Sequence, residues 1–162
     1  MASRALSSVS AVLRSSFITL SNGPWLTTKT INYFTKSIIQ PGVSRLYYYI
    51  TYFFQLLLGL ETSPVHNYTA MSNWSSNIDG VPSVFNLRKL FIPINKGDVH
   101  WLLLRVQMVE KPIETWDSLG HTETNPVYLQ LVCRYLYVAQ NHGAQRDQVA
   151  LEEWSIDWSC FD

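Results

Sequence analysis

Apolar residues in the first third of the chain predict one helix and one buried segment. Between Leu26 and Ile39 they recur near helical spacing, and Pro41-Gly42 follows, so we predict a helix with one buried side. The run Tyr47–Leu60 is shorter than the ~20 apolar residues that a membrane-spanning helix needs, and two polar residues interrupt it. We therefore expect this run to lie in the protein core. The predicted helical stripe comprises Leu26, Thr30, Tyr33, Phe34, Ser37 and Ile38.

Short apolar runs separated by turn residues predict strands in the middle of the chain. Residues 61–86 are rich in Ser, Asn, Gly and Pro and are predicted to form a connecting region, with Trp74 as its large apolar anchor. Phe91–Ile94 and Val99–Val109 are predicted strands. Because the turn-forming sequence Asn-Lys-Gly-Asp at 95–98 joins them, they are expected to form an antiparallel hairpin.

A third strand and a second helix complete the predicted fold. The strand Ile113–Trp116 runs into a turn at 117–120, and the helix begins with Asn125 as N-cap and Pro126 at its first position and ends at Gly143. Helix, strands and helix in this order, without βαβ alternation, predict an α+β domain in which helices flank a mostly antiparallel sheet. The apolar stripe of this helix comprises Tyr128, Leu131, Val132, Tyr135, Leu136 and Ala139.

Composition and charge narrow the classes of protein that fit this pattern. A chain of 162 residues with 47% apolar and 14% aromatic residues forms one folded domain rather than a disordered segment. Residues 1–60 carry five basic and no acidic side chains, and residues 61–162 carry seven basic and twelve acidic ones. Because the basic residues are sparse, we do not expect a nucleic-acid partner.

The two cysteines and the N-terminal segment indicate in which cellular compartment the protein is expected. Cys133 and Cys160 form neither a disulfide framework nor a Cys-x-x-Cys pair, so we expect a reducing compartment, no metal and no cofactor. Cys133 lies on the apolar helical stripe and is expected in the core. Residues 1–16 are Ser-rich with two Arg and no acid, which fits a mitochondrial transit peptide or an ordinary leader. The domain itself is expected over 17–162.

One histidine stands where it could do chemistry. His100 begins an apolar strand, and Asp117 follows the next strand seventeen residues later. If the two strands pair, both side chains reach the same end of the sheet, where a carboxylate could fix the imidazole tautomer and stabilise its charged form. The alternative is a strand-end histidine and a turn aspartate with no joint role.

Four short motifs in order extend this interpretation. They are Trp25-Leu-Thr-Thr with Ile31-Asn-Tyr-Phe, Ile92-Pro-Ile, His100-Trp and Asp117-Ser-Leu. Together they resemble the catalytic domain of the ubiquitin-like protease family, the SUMO-specific or sentrin-specific cysteine proteases, over roughly residues 17–158. The resemblance implies a papain-like fold. It departs from the family at Thr27-Thr28, where Asn-Asp is common, and at Asn95, where His is common.

The resemblance also implies roles for four residues. His100 would be the general base that draws the proton from a cysteine thiol, and Asp117 would orient it. Trp25 and Trp101 would close over the Gly-Gly end of the substrate, because a slot between two indole faces admits a backbone without Cβ atoms. Core packing is the alternative for both tryptophans, and Trp74 and Trp116 are assigned to the core.

The family's nucleophile signature has no counterpart in these residues. The family places a glutamine and then Asp-Cys-Gly several tens of residues after its aspartate, and Cys160 stands instead in Trp158-Ser-Cys-Phe-Asp162. No nucleophile is identified, and the domain is expected to be C-terminally incomplete, either as a fragment or as an inactive copy. The segment Glu153–Asp157 resembles the strand before the missing signature, and an isolated chain of this kind is expected to be unstable.

Three functions therefore remain open. The first is a cysteine peptidase or isopeptidase that cleaves after Gly-Gly in a SUMO-like modifier, with this chain alone inactive. The second is a module that binds the modifier without cutting it. The third, a mitochondrial or membrane-associated protein unrelated to proteolysis, rests only on the leader and the run Tyr47–Leu60. For the first two we expect an intracellular protein, nuclear or cytoplasmic, with no membrane partner.

Overall fold

Helices and strands follow one another along the chain without regular βαβ alternation, which is typical of an α+β domain. The computed structural model describes residues 26–39, 45–61, 74–78, 80–97, 99–117, 119 and 126–142. Its helices are α1 (Thr28–Ile38), α2 (Tyr52–Glu61) and α3 (Pro126–His142), with a 3₁₀ turn at Val84–Asn86. Its strands are β1 (Leu46–Tyr48), β2 (Ser76–Ile78), β3 (Val81–Ser83), β4 (Lys89–Lys96), β5 (His100–Gln107) and β6 (Ile113–Asp117).

Four strands form the main sheet, in the order β1-β4-β5-β6. The pair β1–β4 is parallel, whereas β4–β5 and β5–β6 are antiparallel. Lys96 pairs with His100 at the end of the predicted hairpin, and Gly97 in its turn has a φ of 64°. That left-handed conformation suits glycine because it has no Cβ. The predicted hairpin and the mostly antiparallel sheet are both confirmed.

One face of the sheet packs against α2 and α3 to form the core. Side chains alternate along each strand, so residues of even number in β4 and β5 point to this face and their neighbours point away. The run 47–60, which contains the end of β1 and most of α2, contributes Tyr49, Phe53, Phe54 and Leu57 to the core as predicted, whereas Ile50 and Tyr52 are exposed. The fully buried core residues on these elements are Phe53, Phe54, Leu57, Leu90, Ile92, Ile94, Leu104, Val106, Ile113, Leu129, Val132, Tyr135 and Leu136.

An aromatic cluster links the two helices to the loop before β2. The Tyr49 hydroxyl donates to the Trp74 carbonyl at 2.7 Å and lies 2.7 Å from the Tyr135 hydroxyl. Since its single proton goes to Trp74, the Tyr135 hydroxyl must donate to Tyr49. Phe53 stacks on Tyr49 with ring centroids 3.9 Å apart and meets Tyr135 edge-on at 5.0 Å. The Trp74 anchor expected from sequence is confirmed.

The helix α1 is held by polar contacts more than by its apolar stripe. Thr27 caps it by accepting from the Thr30 backbone N–H at 3.2 Å, and Thr30 is its one buried residue. The Asn32 amide binds Thr51 twice, through its hydroxyl at 3.1 Å and its backbone N–H at 3.0 Å. Phe34 and Ile38 of the predicted stripe are 40% and 75% exposed, so most of that stripe does not enter the core.

Two further expectations need correction. Residues 61–86 were expected only to connect, but they contain the antiparallel pair β2–β3. Trp116 was assigned to the core, yet it is 52% exposed, because strand alternation sends Thr115 inward and Trp116 outward.

Some predicted features lie within the described residues and others lie outside them. The helix α3 begins at Pro126, as predicted, and buries most of its predicted stripe. Asn125, Gly143 and the leader 1–16 lie outside the described residues. Within the ranges that the structure describes, no helix is long and apolar enough to cross a bilayer.

Candidate active site

His100 and Asp117 meet at one end of the main sheet. His100 is the first residue of β5 and Asp117 the last of β6, and Asp117 pairs with Leu102 across the two strands. Leu102 and His100 share a face, so the histidine and the aspartate are diagonal neighbours on it. The His100 Nε2 and Asp117 Oδ1 atoms lie 2.7 Å apart, which is hydrogen-bonding distance.

A backbone contact holds the aspartate in place. Asp117 Oδ1 also accepts from the Leu119 backbone N–H at 2.8 Å, as in a turn closed by an aspartate side chain. The His100 and Asp117 side chains are 12% and 8% exposed, so both groups are largely shielded from water. The strand register and this turn therefore fix the carboxylate before any ligand binds.

The contact determines which imidazole nitrogen can act on another group. An ionised carboxylate only accepts hydrogen bonds, so Nε2 of His100 carries a proton towards Asp117. Nδ1 is then the nitrogen that would take up or release a proton. This is the arrangement that a general base requires when a carboxylate orients it.

Trp101 lies beside this pair, on the opposite face of the sheet. Its indole Nε1 donates to the Leu26 carbonyl at 2.7 Å, which ties the start of β5 to the residue before the α1 cap. Leu26 directly follows Trp25, which lies outside the described residues. The structure thus brings Trp101 to the segment that contains Trp25, without describing Trp25 itself.

The thiol within the described residues has the properties of a core group. Cys133 on α3 is 6% exposed, and burial raises the pKa of its thiol from 9.0 to about 11. A thiol with a raised pKa is a poor source of thiolate, which is the reactive form. The expected core position of Cys133 is confirmed, and Cys160 lies outside the described residues.

Sequence reasoning missed a polar cluster on the opposite face of β5 and β6. Glu114, on β6, is 4% exposed and forms an ion pair with Arg105 on β5, directly opposite it. Gln107 Nε2 donates to Glu114 Oε1 at 2.9 Å, and Trp116 Nε1 donates to Glu114 Oε2 at 3.4 Å. The Arg105 guanidinium lies 4.9 Å from the centroid of the Trp116 ring. Once the strands are aligned, the opposite charges at 105 and 114 would have indicated this cluster.

The described part of the chain contains no cluster of side chains that could hold a metal ion. No group of three His, Cys, Asp or Glu side chains comes together there.

Comparison with known sequences identifies the family to which this chain belongs. A model of the Ulp1 protease family, C-terminal catalytic domain, matches residues 24–158. The chain belongs to the Ulp1 protease family. A Sentrin-specific protease of Caenorhabditis elegans is 25% identical over 122 residues, covering 71% of this chain and 16% of that relative.

Solved structures of Ulp1-type proteases share the fold. A crystal structure of the de-sumoylating protease matches with a TM-score of 0.67 at 18% identity, over 88% of this chain and 56% of that one. The SUMO protease Ulp1 with its catalytic cysteine oxidised to a sulfinic acid matches with a TM-score of 0.63 at 22% identity, over 88% and 59%. The predicted papain-like α+β fold is thereby confirmed.

A third match was solved with a partner. The C-terminal Ulp1 protease domain in complex with Smt3, the yeast ortholog of SUMO, gives a TM-score of 0.61 at 22% identity. The alignment covers 88% of this chain and 58% of that protease domain. It therefore spans little more than half of these Ulp1 structures and about a sixth of the worm relative, which is covered over 16% of its length.

Proposed function

We propose that the chain supplies the base, the orienting acid and part of the substrate slot of a cysteine peptidase that cleaves after Gly-Gly in a SUMO-like modifier. The contact of 2.7 Å between His100 Nε2 and Asp117 Oδ1 at the sheet end is the observation that carries this proposal. Membership of the Ulp1 family supplies the reaction class.

The chemistry follows from the roles of the two nitrogens. His100 Nδ1 would take the proton of a cysteine thiol, and the resulting thiolate would add to the carbonyl carbon of the terminal glycine. The imidazolium would return that proton to the departing amine, and water would then release the modifier from the acyl-enzyme. Asp117 would hold the ring in the required orientation through its contact with Nε2.

Recognition is proposed to depend on Trp101 and Trp25. The hydrogen bond from Trp101 to the Leu26 carbonyl supports this role, because it ties one indole to the segment that carries the other. A slot between two indoles selects glycine, since any Cβ would collide with a ring face. The chemical class of the partner is therefore a ubiquitin-like protein ending in Gly-Gly, alone or conjugated.

The nucleophile is proposed to lie outside these 162 residues. Cys133 is buried, with the pKa of its thiol raised to about 11, and neither cysteine stands in an Asp-Cys-Gly sequence. We expect the chain alone to form no acyl-enzyme, because neither His100 nor Asp117 can replace a thiolate. The same observation favours a second candidate, a module that holds the modifier without cutting it. For either function we propose an intracellular location.

A reactive modifier separates these possibilities. The 162-residue chain is mixed with mature SUMO and with SUMO carrying a C-terminal glycine vinyl sulfone, and binding and covalent mass are measured. We expect binding without an adduct, and weaker binding by Trp101→Ala. An adduct at Cys160 would overturn the assignment of the nucleophile, and the absence of any binding at low salt would overturn the recognition role.

Sequencing the transcript across the codon for Asp162 distinguishes peptidase from binding module. A reading frame that continues into a glutamine and Asp-Cys-Gly supports the peptidase, and its full product should lose turnover in His100→Ala. A stop codon directly after Asp162 excludes the peptidase and leaves the binding module.

A further inference from the structure

Trp116 is a large exposed aromatic side chain that its neighbours hold in one orientation. Its ring is 52% exposed, its Nε1 donates to the buried carboxylate of Glu114, and the Arg105 guanidinium lies 4.9 Å from the ring centroid. Exposed side chains normally lose rotamer freedom on binding, and a ring that is already fixed loses less. Tryptophan and arginine are also the residues most enriched among strong contacts at protein interfaces.

The buried Glu114 carboxylate holds Arg105 and Trp116 in place and is not part of the hydrophobic core. Burying a charged group is costly unless it is paired and hydrogen-bonded, and Glu114 receives donors from Arg105, Gln107 and Trp116. All of them lie on the sheet face away from α2 and α3. The cluster therefore fixes an exposed surface.

That surface continues from the proposed substrate slot. Leu103 pairs with Trp116 across β5 and β6, and Trp101 lies two residues before Leu103 on the same strand. Because alternate residues share a face, Trp101, Leu103 and Trp116 form one apolar row. The row lies at the end of the sheet that carries the His100–Asp117 pair.

We propose that Trp116 is a specificity-determining contact for the ubiquitin-like modifier, with Glu114 and Arg105 as its positioning residues. The proposal rests on the proposed function, since its occupant is the modifier whose Gly-Gly end would lie at Trp101. Arg105 is already neutralised by Glu114, so the contact made by Trp116 is apolar and aromatic. Its contribution to binding should change little with salt, whereas a nucleic-acid partner would show a steep salt dependence.

Titration of the 162-residue chain with mature SUMO tests the contact. Trp116→Ala should raise the Kd about ten-fold or more, as expected for a central aromatic contact, with an unchanged unfolding midpoint. Trp116→Gln keeps a donor for Glu114 but removes the ring, and it should weaken binding similarly. The matched control is Tyr52→Ala on α2, because Tyr52 is 54% exposed but lies on a helix that packs against the other face. It should leave the Kd unchanged.

The positioning role has its own measurement. Glu114→Gln keeps the shape of the side chain but removes the charge that holds Arg105 and Trp116. We expect a several-fold rise in Kd together with greater mobility of the Trp116 indole by ¹⁵N relaxation. Unchanged mobility in a folded Glu114→Gln would overturn the positioning role.

The outcomes distinguish this inference from the proposed function. If Trp101→Ala weakens binding while Trp116→Ala and Trp116→Gln do not, the inference on Trp116 is wrong and the proposed slot stands. If the wild-type chain binds no SUMO at low salt, both are overturned. Should Trp116→Ala fail to fold, the Kd of Trp116→Gln decides the matter alone.

Discussion

The amide of Asn32 binds Thr51 at both its hydroxyl and its backbone N–H, and it thereby joins α1 to the start of α2. These contacts span nineteen residues of sequence and are partly buried. Since α1 follows Leu26, which Trp101 contacts, this joint also holds one side of the proposed slot.

Replacing Asn32 should therefore destabilise the domain. Asn32→Ala removes both hydrogen bonds and should cost about 1–3 kcal/mol of unfolding free energy, whereas Asn32→Asp keeps an acceptor for the Thr51 N–H and should cost less. Urea denaturation measures both, with the exposed Lys36→Ala on the same helix as a control. Equal midpoints for Asn32→Ala and Lys36→Ala would show that the joint contributes nothing.

The His100 tautomer offers a test that does not depend on activity. Asp117 should keep the proton of neutral His100 on Nε2, and Asp117→Ala should give a mixture of tautomers because the acceptor is lost. The ¹⁵N chemical shifts of the two ring nitrogens report this directly. Glu110→Ala, an exposed acid in the turn between β5 and β6, serves as the control and should change neither shift. A mixture already present in the wild type contradicts the assignment.

The tyrosine pair in the core should respond asymmetrically to loss of each hydroxyl. Tyr49→Phe leaves both the Trp74 carbonyl and the Tyr135 hydroxyl without their partner and should cost about 2 kcal/mol or more. Tyr135→Phe removes one donor only and should cost about 1 kcal/mol. Chemical denaturation compares them, with the exposed Tyr52→Phe as a neutral control. A larger loss for Tyr135→Phe would reverse the proposed direction of donation.

Alkaline pH should weaken the fold through Cys133. Burial raises the pKa of its thiol from 9.0 to about 11, so between these values the unfolded chain loses this proton while the folded chain keeps it. The unfolded state then binds fewer protons, and stability falls as pH rises through this window. Burial also raises the pKa of Tyr49 and Tyr135, which steepens the fall above their ordinary value of 10.0.

The measurement is unfolding free energy against pH, with Cys133→Ala as the comparison. That variant should be less stable at pH 7 because it leaves a cavity, but its stability should fall less between pH 9 and 11 than that of the wild type. Parallel curves for the two proteins would mean that Cys133 titrates normally in the folded state.

Local sequence patterns predicted the strands β4, β5 and β6 and the helix α3, because each is specified by residues close together in the chain. The turn at 95–98 fixes one hairpin, and Pro126 marks a helix start. The same alternation placed His100 and Asp117 at one end of the sheet, and four ordered motifs indicated the family. The catalytic roles of these residues remain predictions.

Features that depend on distant contacts were not predictable in the same way. Trp116 is exposed because its face points away from the helices, whereas Glu114 on the same face is buried among its hydrogen-bond partners. An isolated strand pattern specifies neither outcome. The stripe on α1 indicated a helix correctly, but Asn32 and Thr30 rather than Phe34 and Ile38 make its inward contacts. The parallel pairing of β1 with β4 joins segments that no local signal connects.

The strands β4, β5 and β6 are neighbours both along the chain and in the sheet, and this has a consequence for the order of folding. The His100–Asp117 contact closes a loop of seventeen residues within the single β5–β6 hairpin, whereas the contact from Trp101 to Leu26 spans seventy-five. Short loops close at lower entropic cost and sooner than long ones. The His100–Asp117 pair is thus a local unit that can form in a nascent chain, whereas the proposed slot at Trp101 exists only once the whole topology has assembled.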